Sequence, residues 1–197
     1  MTHSASRAPA LLIGGFVVFV AVLIALVAAS LARRRVAEFE PSPTVTATTA
    51  ETFTLDTVTV DARDPAAWRF VSFRRGGVLP AGDTAGWDLA FRRFQVIASG
   101  AIADAGPVAF EQVHQAPAGG YVTTHTGRDT VNAAIARWYR YSFVTHLLHP
   151  LNRVYVVRTT AQRYAKLQFL GYYCHGTAPG CVTVRYAYQP SGDRTLR

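Results

Sequence analysis

The chain has 197 residues, half of them hydrophobic and only 16% charged, which excludes a disordered, solvated polypeptide and suits one folded unit with appendages. Net charge is +8, and 19 of the 20 cationic side chains are arginine, with Lys166 the one lysine. Two cysteines are too few for a disulfide-framework miniprotein or a four-cysteine zinc module.

Residues 1–8 read as a short N-terminal tail. Pro9–Ala32 then runs for 24 residues without a charge. A hydrocarbon core about 30 Å thick needs roughly 20 helical residues, so residues 9–32 predict one transmembrane helix. The run exceeds the roughly 7–15 apolar residues of a signal peptide, although Ala28-Ala29-Ser30 offers small residues where cleavage is feasible. Gly14 and Gly15 allow close helix approach and are candidate contacts to integral membrane subunits. The absence of charge in the run argues against ion or proton conduction. Arg33, Arg34 and Arg35 follow at once and suit lipid phosphates, so membrane lipid is an expected partner. Counted against Arg7, these three arginines place the C-terminal part in the cytoplasm. The cysteine pair described below argues for the periplasmic side of an inner membrane, and that is the expectation adopted.

Residues 33–51 form the basic flank and a linker. Its stretch Glu38–Glu51, with two prolines and four threonines, predicts an extended tether. Residues 52–190 then show a period of mostly two. Phe53, Leu55, Val58 and Val60 sit among threonines, and Ala67–Phe73 and Trp87–Ile97 are aromatic-rich strand candidates. Asn132–Tyr141 is the helical candidate of this region. Arg153–Thr160, Tyr164–Tyr173 and Cys181–Gln189 form the clearest strand set. In the last, Val182, Val184, Tyr186 and Tyr188 alternate with Thr183, Arg185 and Ala187, the pattern of a half-buried antiparallel strand. Gly76-Gly77, Gly106-Pro107 and Gly119-Gly120 break the runs. The fold class is mainly β, an antiparallel sandwich or curved sheet behind one N-terminal transmembrane α-helix, with residues 191–197 a tail.

Cys174 and Cys181 bracket a Gly/Pro turn between two strand candidates. A disulfide across that mouth would stabilise by roughly 2–3 kcal/mol and implies an oxidising compartment. Two buried thiols are the alternative. A metal held by Cys174, His175 and Cys181 lacks a fourth ligand, and no metal site is expected.

Trp87-Asp88-Leu89-Ala90-Phe91 resembles the W-D-(I/L)-A-F box of the HmuY-like family. Val154–Thr159, Tyr164–Phe169 and Gly180–Tyr186 are similar to that family's closing three strands. The resemblance spans about Thr52 to Gln189. It implies an all-β, extracytoplasmic domain and, in the founding members, haem captured between two loop side chains. This chain departs from the pattern in having a membrane helix without a cysteine near its start, and Ala161-Gln162-Arg163 in place of an Asp-Gly turn. Read bottom-up, Trp87, Phe91, Asp88 and Lys166 are packing or structural hydrogen-bonding residues. Asp88 would accept from backbone amides or pair with arginine, and Lys166 would face an acid on the sheet.

Histidine can ligate haem iron. The candidate ligand pairs are His146 with His149, and His114 with His125, which flank the Gly119-Gly120 loop. No nucleophile elbow, zinc helix motif or phosphate loop is present, and the acids are scattered, so no enzyme activity is expected. The arginines alternate with apolar residues and form no stripe, so no nucleic-acid partner is expected. Trp138, Tyr139, Arg140 and Tyr141 instead form an arginine–aromatic cluster of the type found at protein interfaces. The preferred expectation is a cofactor-free, non-enzymatic docking subunit of a multi-subunit membrane complex, with a photosynthetic reaction centre and its light-harvesting ring as the host considered. The alternative is a membrane-anchored haem-binding protein of HmuY type.

Overall fold

Apolar alternation and Gly/Pro breaks place twelve strands behind one helix in a computed structural model of the chain, which describes residues 8–31, 36–46, 49–127 and 129–197. They divide into two units: the helix with residues 141–147, and residues 36–140 with 148–197. The helix α1, Ala8–Leu31, is apolar all round, and its span Leu12–Ala29 is long and apolar enough to cross a membrane. Arg33, Arg34 and Arg35 lie outside the described residues.

In chain order the strands are β1 (Thr54–Asp61), β2 (Arg69–Ser72), β3 (Gly77–Val78), β4 (Leu89–Arg92), β5 (Gln95–Ala98) and β6 (Ala101–Gly106). There follow β7 (Val122–Thr123), β8 (Tyr139–Tyr141), β9 (Leu148–Pro150), β10 (Val154–Arg158), β11 (Tyr164–Tyr173) and β12 (Pro179–Gln189). Six form an antiparallel sheet in the order β1-β12-β11-β10-β6-β7, four form another in the order β3-β2-β4-β5, and β8 pairs with β9 in a separate ribbon. The mainly β, antiparallel class expected from the sequence is the one observed.

Several local expectations change. Trp87–Ile97 is not one strand: it turns at Arg93, whose φ is +53°, and becomes β4 and β5. Asn132–Tyr141 is not a helix. Asn132 accepts from Ile135 and Ala136 in a single turn, its side-chain Oδ1 takes the Ala134 amide, and the chain then extends into β8. The Asn side chain offers the backbone a local partner that competes with helix propagation. β12 is buried on both faces rather than half-buried, because it lies between β1 and β11 with a core on each side. Leu55 is 62% exposed and contributes nothing to that core. The extended segment after the helix is docked: Ser42 donates to Thr59 O, Val45 to Val78 O and Ala50 to Arg74 O. Residues 191–197 are likewise tied in, with Leu196 fully buried and its amide donating to His114 O.

The first core lies between the sheets. Phe73, at the end of β2, meets Tyr186 and Tyr188 of β12 at ring distances of 5.1 and 6.0 Å. Trp138 fills the same layer. It stacks on Phe169 of β11 at 4.2 Å and donates its indole N–H to Phe94 O, in the β4–β5 turn, at 2.9 Å. Trp138 therefore joins the two sheets at one residue. The second core, on the opposite face of the large sheet, comprises Phe110, Val113, Ala116, Val154, Val156, Ala187 and Leu196.

Trp138→Ala removes a fully buried ring and strands a carbonyl. It is expected to destabilise the full chain by about 3–5 kcal/mol, read as a lowered midpoint in denaturant titration in detergent; a loss under about 1 kcal/mol would contradict the assigned role.

Candidate functional site

The Trp-Asp-Leu-Ala-Phe box is structural. Asp88 is buried just before β4, where its carboxylate accepts the Phe73 amide at 2.7 Å and so closes the turn after β2. Burial pushes its pKa up to about 6, against the opposing hydrogen bonds from Phe73 and Ser72. Lys166 does not meet an acid directly. Register places it beside Val156 and Ala187 in the second core, where its ammonium donates to Phe110 O at 3.0 Å and Val113 O at 2.8 Å and lies over the Phe110 ring. Desolvation lowers its pKa.

Cys174 and Cys181 are joined in a disulfide. Glu38, from the segment after the helix, grips the loop they close. Its carboxylate accepts from the Gly176 amide at 3.0 Å and the Thr177 amide at 2.9 Å. Phe39 donates its amide to Tyr173 O, and its ring occupies the space where a Cβ on Gly171 would stand, 2.3 Å away. Sequence reasoning missed this joint, because nothing in Glu38-Phe39 distinguishes a docked residue from a tethering one.

The four candidate histidines sit on different elements. His114 is exposed, lines a surface cavity of about 610 Å³ with Gln112 and Arg197, and accepts the Leu196 amide through its backbone. His125 is exposed and bridges Val131 through its backbone. His146 occupies the turn between β8 and β9 with φ +56°, its Nδ1 2.6 Å from the Tyr141 hydroxyl. His149 is half-buried in β9. Among the described residues, no three His, Cys, Asp or Glu side chains gather as a metal site would require.

Of the arginine–aromatic cluster, Trp138 is excluded as an interface residue, because its indole is spent inside the core. Tyr139 is half-buried against Phe94 and Trp138, while Arg140 and Tyr141 are exposed. Beyond the helix's own backbone, no atom of the described residues lies within 4 Å of a Cβ added at Gly14 or Gly15.

A cleft of about 450 Å³ was not foreseen. The Asn132 turn supplies Ala133, Ala134, Ala136 and Arg137, and the chain after β9 supplies Leu151, Arg153 and Tyr155. Leu151 is fixed there by donating its amide to Trp138 O at 2.8 Å. Arg153 is held by Asp104, with Nη2 to Oδ2 at 2.6 Å, and burial pushes the Tyr155 hydroxyl up to about 12. Asp104 and Val131 complete the lining, so the cleft combines small apolar side chains with Arg137 and the Arg153–Asp104 pair. The sequence signal for it is the Ala-Ala-x-Ala-Arg run at 133–137, whose composition predicts a helix.

The HmuY protein family matches residues 64–186, which covers both sheets apart from β1 and the end of β12. The chain belongs to the HmuY family. Solved structures agree on the fold. The apo HmuY analog of Tannerella forsythia superposes with a TM-score of 0.59 at 18% identity, covering 71% of this chain and 98% of its own. A Bacteroides vulgatus protein described as HmuY-like and haem-binding gives 0.57 at 21% identity, covering 67% and 90%. A Bacteroides fragilis protein described as a lipoprotein gives 0.56 at 19% identity, covering 66% and 86%. At such identities the likeness is one of fold. No curated protein matches the chain.

Asp88 makes the HmuY domain's stability depend on pH. Its folded pKa, near 6, exceeds the unfolded value near 4, so the folded state keeps a proton that the unfolded state releases between those limits. Its ionisation costs on the order of 2–3 kcal/mol above pH 6, and that cost fades as pH falls toward 4. Asp88→Asn, whose Oδ1 still accepts the Phe73 amide, is expected to flatten this rise in chemical-denaturation curves from pH 7 to 4; an unchanged profile would refute the assignment.

Proposed function

We propose that this HmuY-family chain is a membrane-anchored, non-enzymatic binding protein of haem type, held by its N-terminal helix with the β domain on the periplasmic face of an inner membrane. Membership of the HmuY family over residues 64–186 carries the reading. The cleft between the Asn132 turn and Tyr155, with its small alanines and exposed Arg137, supports it, since a porphyrin pairs a flat apolar ring with two propionates. Arg137 would meet a propionate, while Arg153 is already paired with Asp104 in the same lining. When bound, haem would supply the iron, and a histidine of the chain would hold it. Of the candidates, His149 lies two residues before Leu151, which lines the cleft. The disulfide supports an oxidising compartment, and it outweighs Arg33–Arg35, whose count favours the opposite orientation.

The docking-subunit reading loses its central aromatic with Trp138 inside the core, and neither the comparisons nor any side-chain cluster favours a photosynthetic host.

Titrating the full chain in detergent with haemin is expected to give a shifted, saturable Soret band. His149→Ala is expected to abolish the shift or weaken it at least about tenfold, one lost iron ligand. His146→Ala, His114→Ala and His125→Ala test the other candidates. A titration without any Soret shift would overturn the haem reading.

A further inference from the structure

Among the described residues, the turn between β8 and β9 holds the most exposed large hydrophobic side chain. Phe143 is 83% exposed, more than any other exposed large hydrophobic side chain among the described residues, those of the membrane-length helix included. Val144 is 55% exposed and Tyr141 40% exposed. The turn is built to hold them there. Ser142 donates to Leu147 O and His146 to Ser142 O, both at 2.8 Å. The Tyr141 hydroxyl meets His146 Nδ1 at 2.6 Å, and the Tyr141 ring meets Phe143 edge-on at 5.1 Å. A fixed turn that displays Phe143, Val144 and Tyr141 to water together forms the kind of apolar patch that marks an interaction surface.

The chain itself says which surface. Seven peptide steps separate Leu31, the end of α1, from Glu38, where the chain is clamped, so the clamp lies within about 25 Å of the helix end. The clamp is at Tyr173: Phe39 donates to its carbonyl and Glu38 bridges it. The β9 end of the ribbon is fastened to the same residue, with the Leu148 amide donating to the Tyr173 hydroxyl at 2.7 Å. The ribbon and the clamped segment therefore meet at one residue of the β domain. Arg140, exposed next to Tyr141, adds a cation that suits phosphate.

We propose that the Tyr141–Leu147 turn seats in the bilayer that holds the helix, with Phe143 and Val144 among the outer acyl carbons, Tyr141 at headgroup depth and Arg140 on lipid phosphate. The β domain is then held to the membrane at two points. This rests on the anchoring half of the preceding reading and is independent of haem capture.

The test uses the full chain in vesicles of phosphatidylcholine and phosphatidylglycerol, with an environment-sensitive fluorophore on Val144→Cys and the native disulfide intact. Ala118→Cys, exposed in a loop of the β domain, gives the aqueous reference, and Val18→Cys reports the helix. The label at 144 is expected to be quenched by nitroxide lipids labelled near the headgroup and to lose about fivefold in iodide quenching relative to position 118. Adding Phe143→Asp is expected to restore iodide access. Iodide access at 144 equal to that at 118, with the helix label in lipid, overturns the seating and leaves the anchor standing. Both labels in water overturns seating and anchor together. Protection from iodide without lipid quenching shows a protein neighbour on the turn and overturns the lipid assignment.

Discussion

Burial of the β11–β12 pair on both faces organises this domain. An antiparallel sheet with one wet face tolerates a charge every second residue. Here the second face is closed by Phe110, Val113 and Leu196, so most side chains on either strand meet a core or must find a partner within it. Lys166 finds two carbonyls at the 110–113 turn, and its position in turn fixes that turn over the sheet. Thr59 and Thr183 meet hydroxyl to hydroxyl at 2.9 Å inside the β1–β12 pairing. The buried polar groups are thereby made into specific joints, at the desolvation cost that lowers the Lys166 pKa.

The same constraint separates what could be read from the sequence from what could not. The strands β10, β11 and β12 were legible because alternation over five to eleven residues leaves little ambiguity, and the disulfide because its cysteines sit at the mouth of a turn. The second core was not legible: it is assembled from a short turn, a loop and the residues around Leu196, none with a period of its own. Trp138 was misjudged for a related reason. An indole beside Tyr and Arg has the composition of an interface, and its burial is decided by Phe94 O and the Phe169 ring, 44 residues before it and 31 after. The segment 38–46 has the composition of a tether, yet its backbone groups are satisfied by Tyr173, Thr59 and Val78.

Binding chemistry was less legible still. Histidines stand out by type, yet none of them lines the cleft beside the Asn132 turn, whose lining includes three alanines, Arg137 and the Arg153–Asp104 pair. Alanine carries no chemical signature, and its contribution is the space it leaves. The HmuY resemblance identified the scaffold through Trp87-Asp88-Leu89-Ala90-Phe91, a box whose residues serve the fold: Asp88 closes a turn and Phe91 is buried. A family can thus be recognised by residues that have no part in its ligand chemistry.

The pairing of β1 with β12 shapes how the chain reaches this state. Thr59 and Thr183 are 124 residues apart, and β6 must also find β10 across an intervening loop and ribbon. Closing such wide loops is entropically uphill until the pairings form, so assembly is slow for a domain of this size. Until β1 arrives, the apolar flank of β12 from Val182 to Tyr188 stands as an open strand edge, the template on which chains pair with one another. Holding the unfinished domain apart from its copies is a requirement that this topology imposes on the cell that makes it.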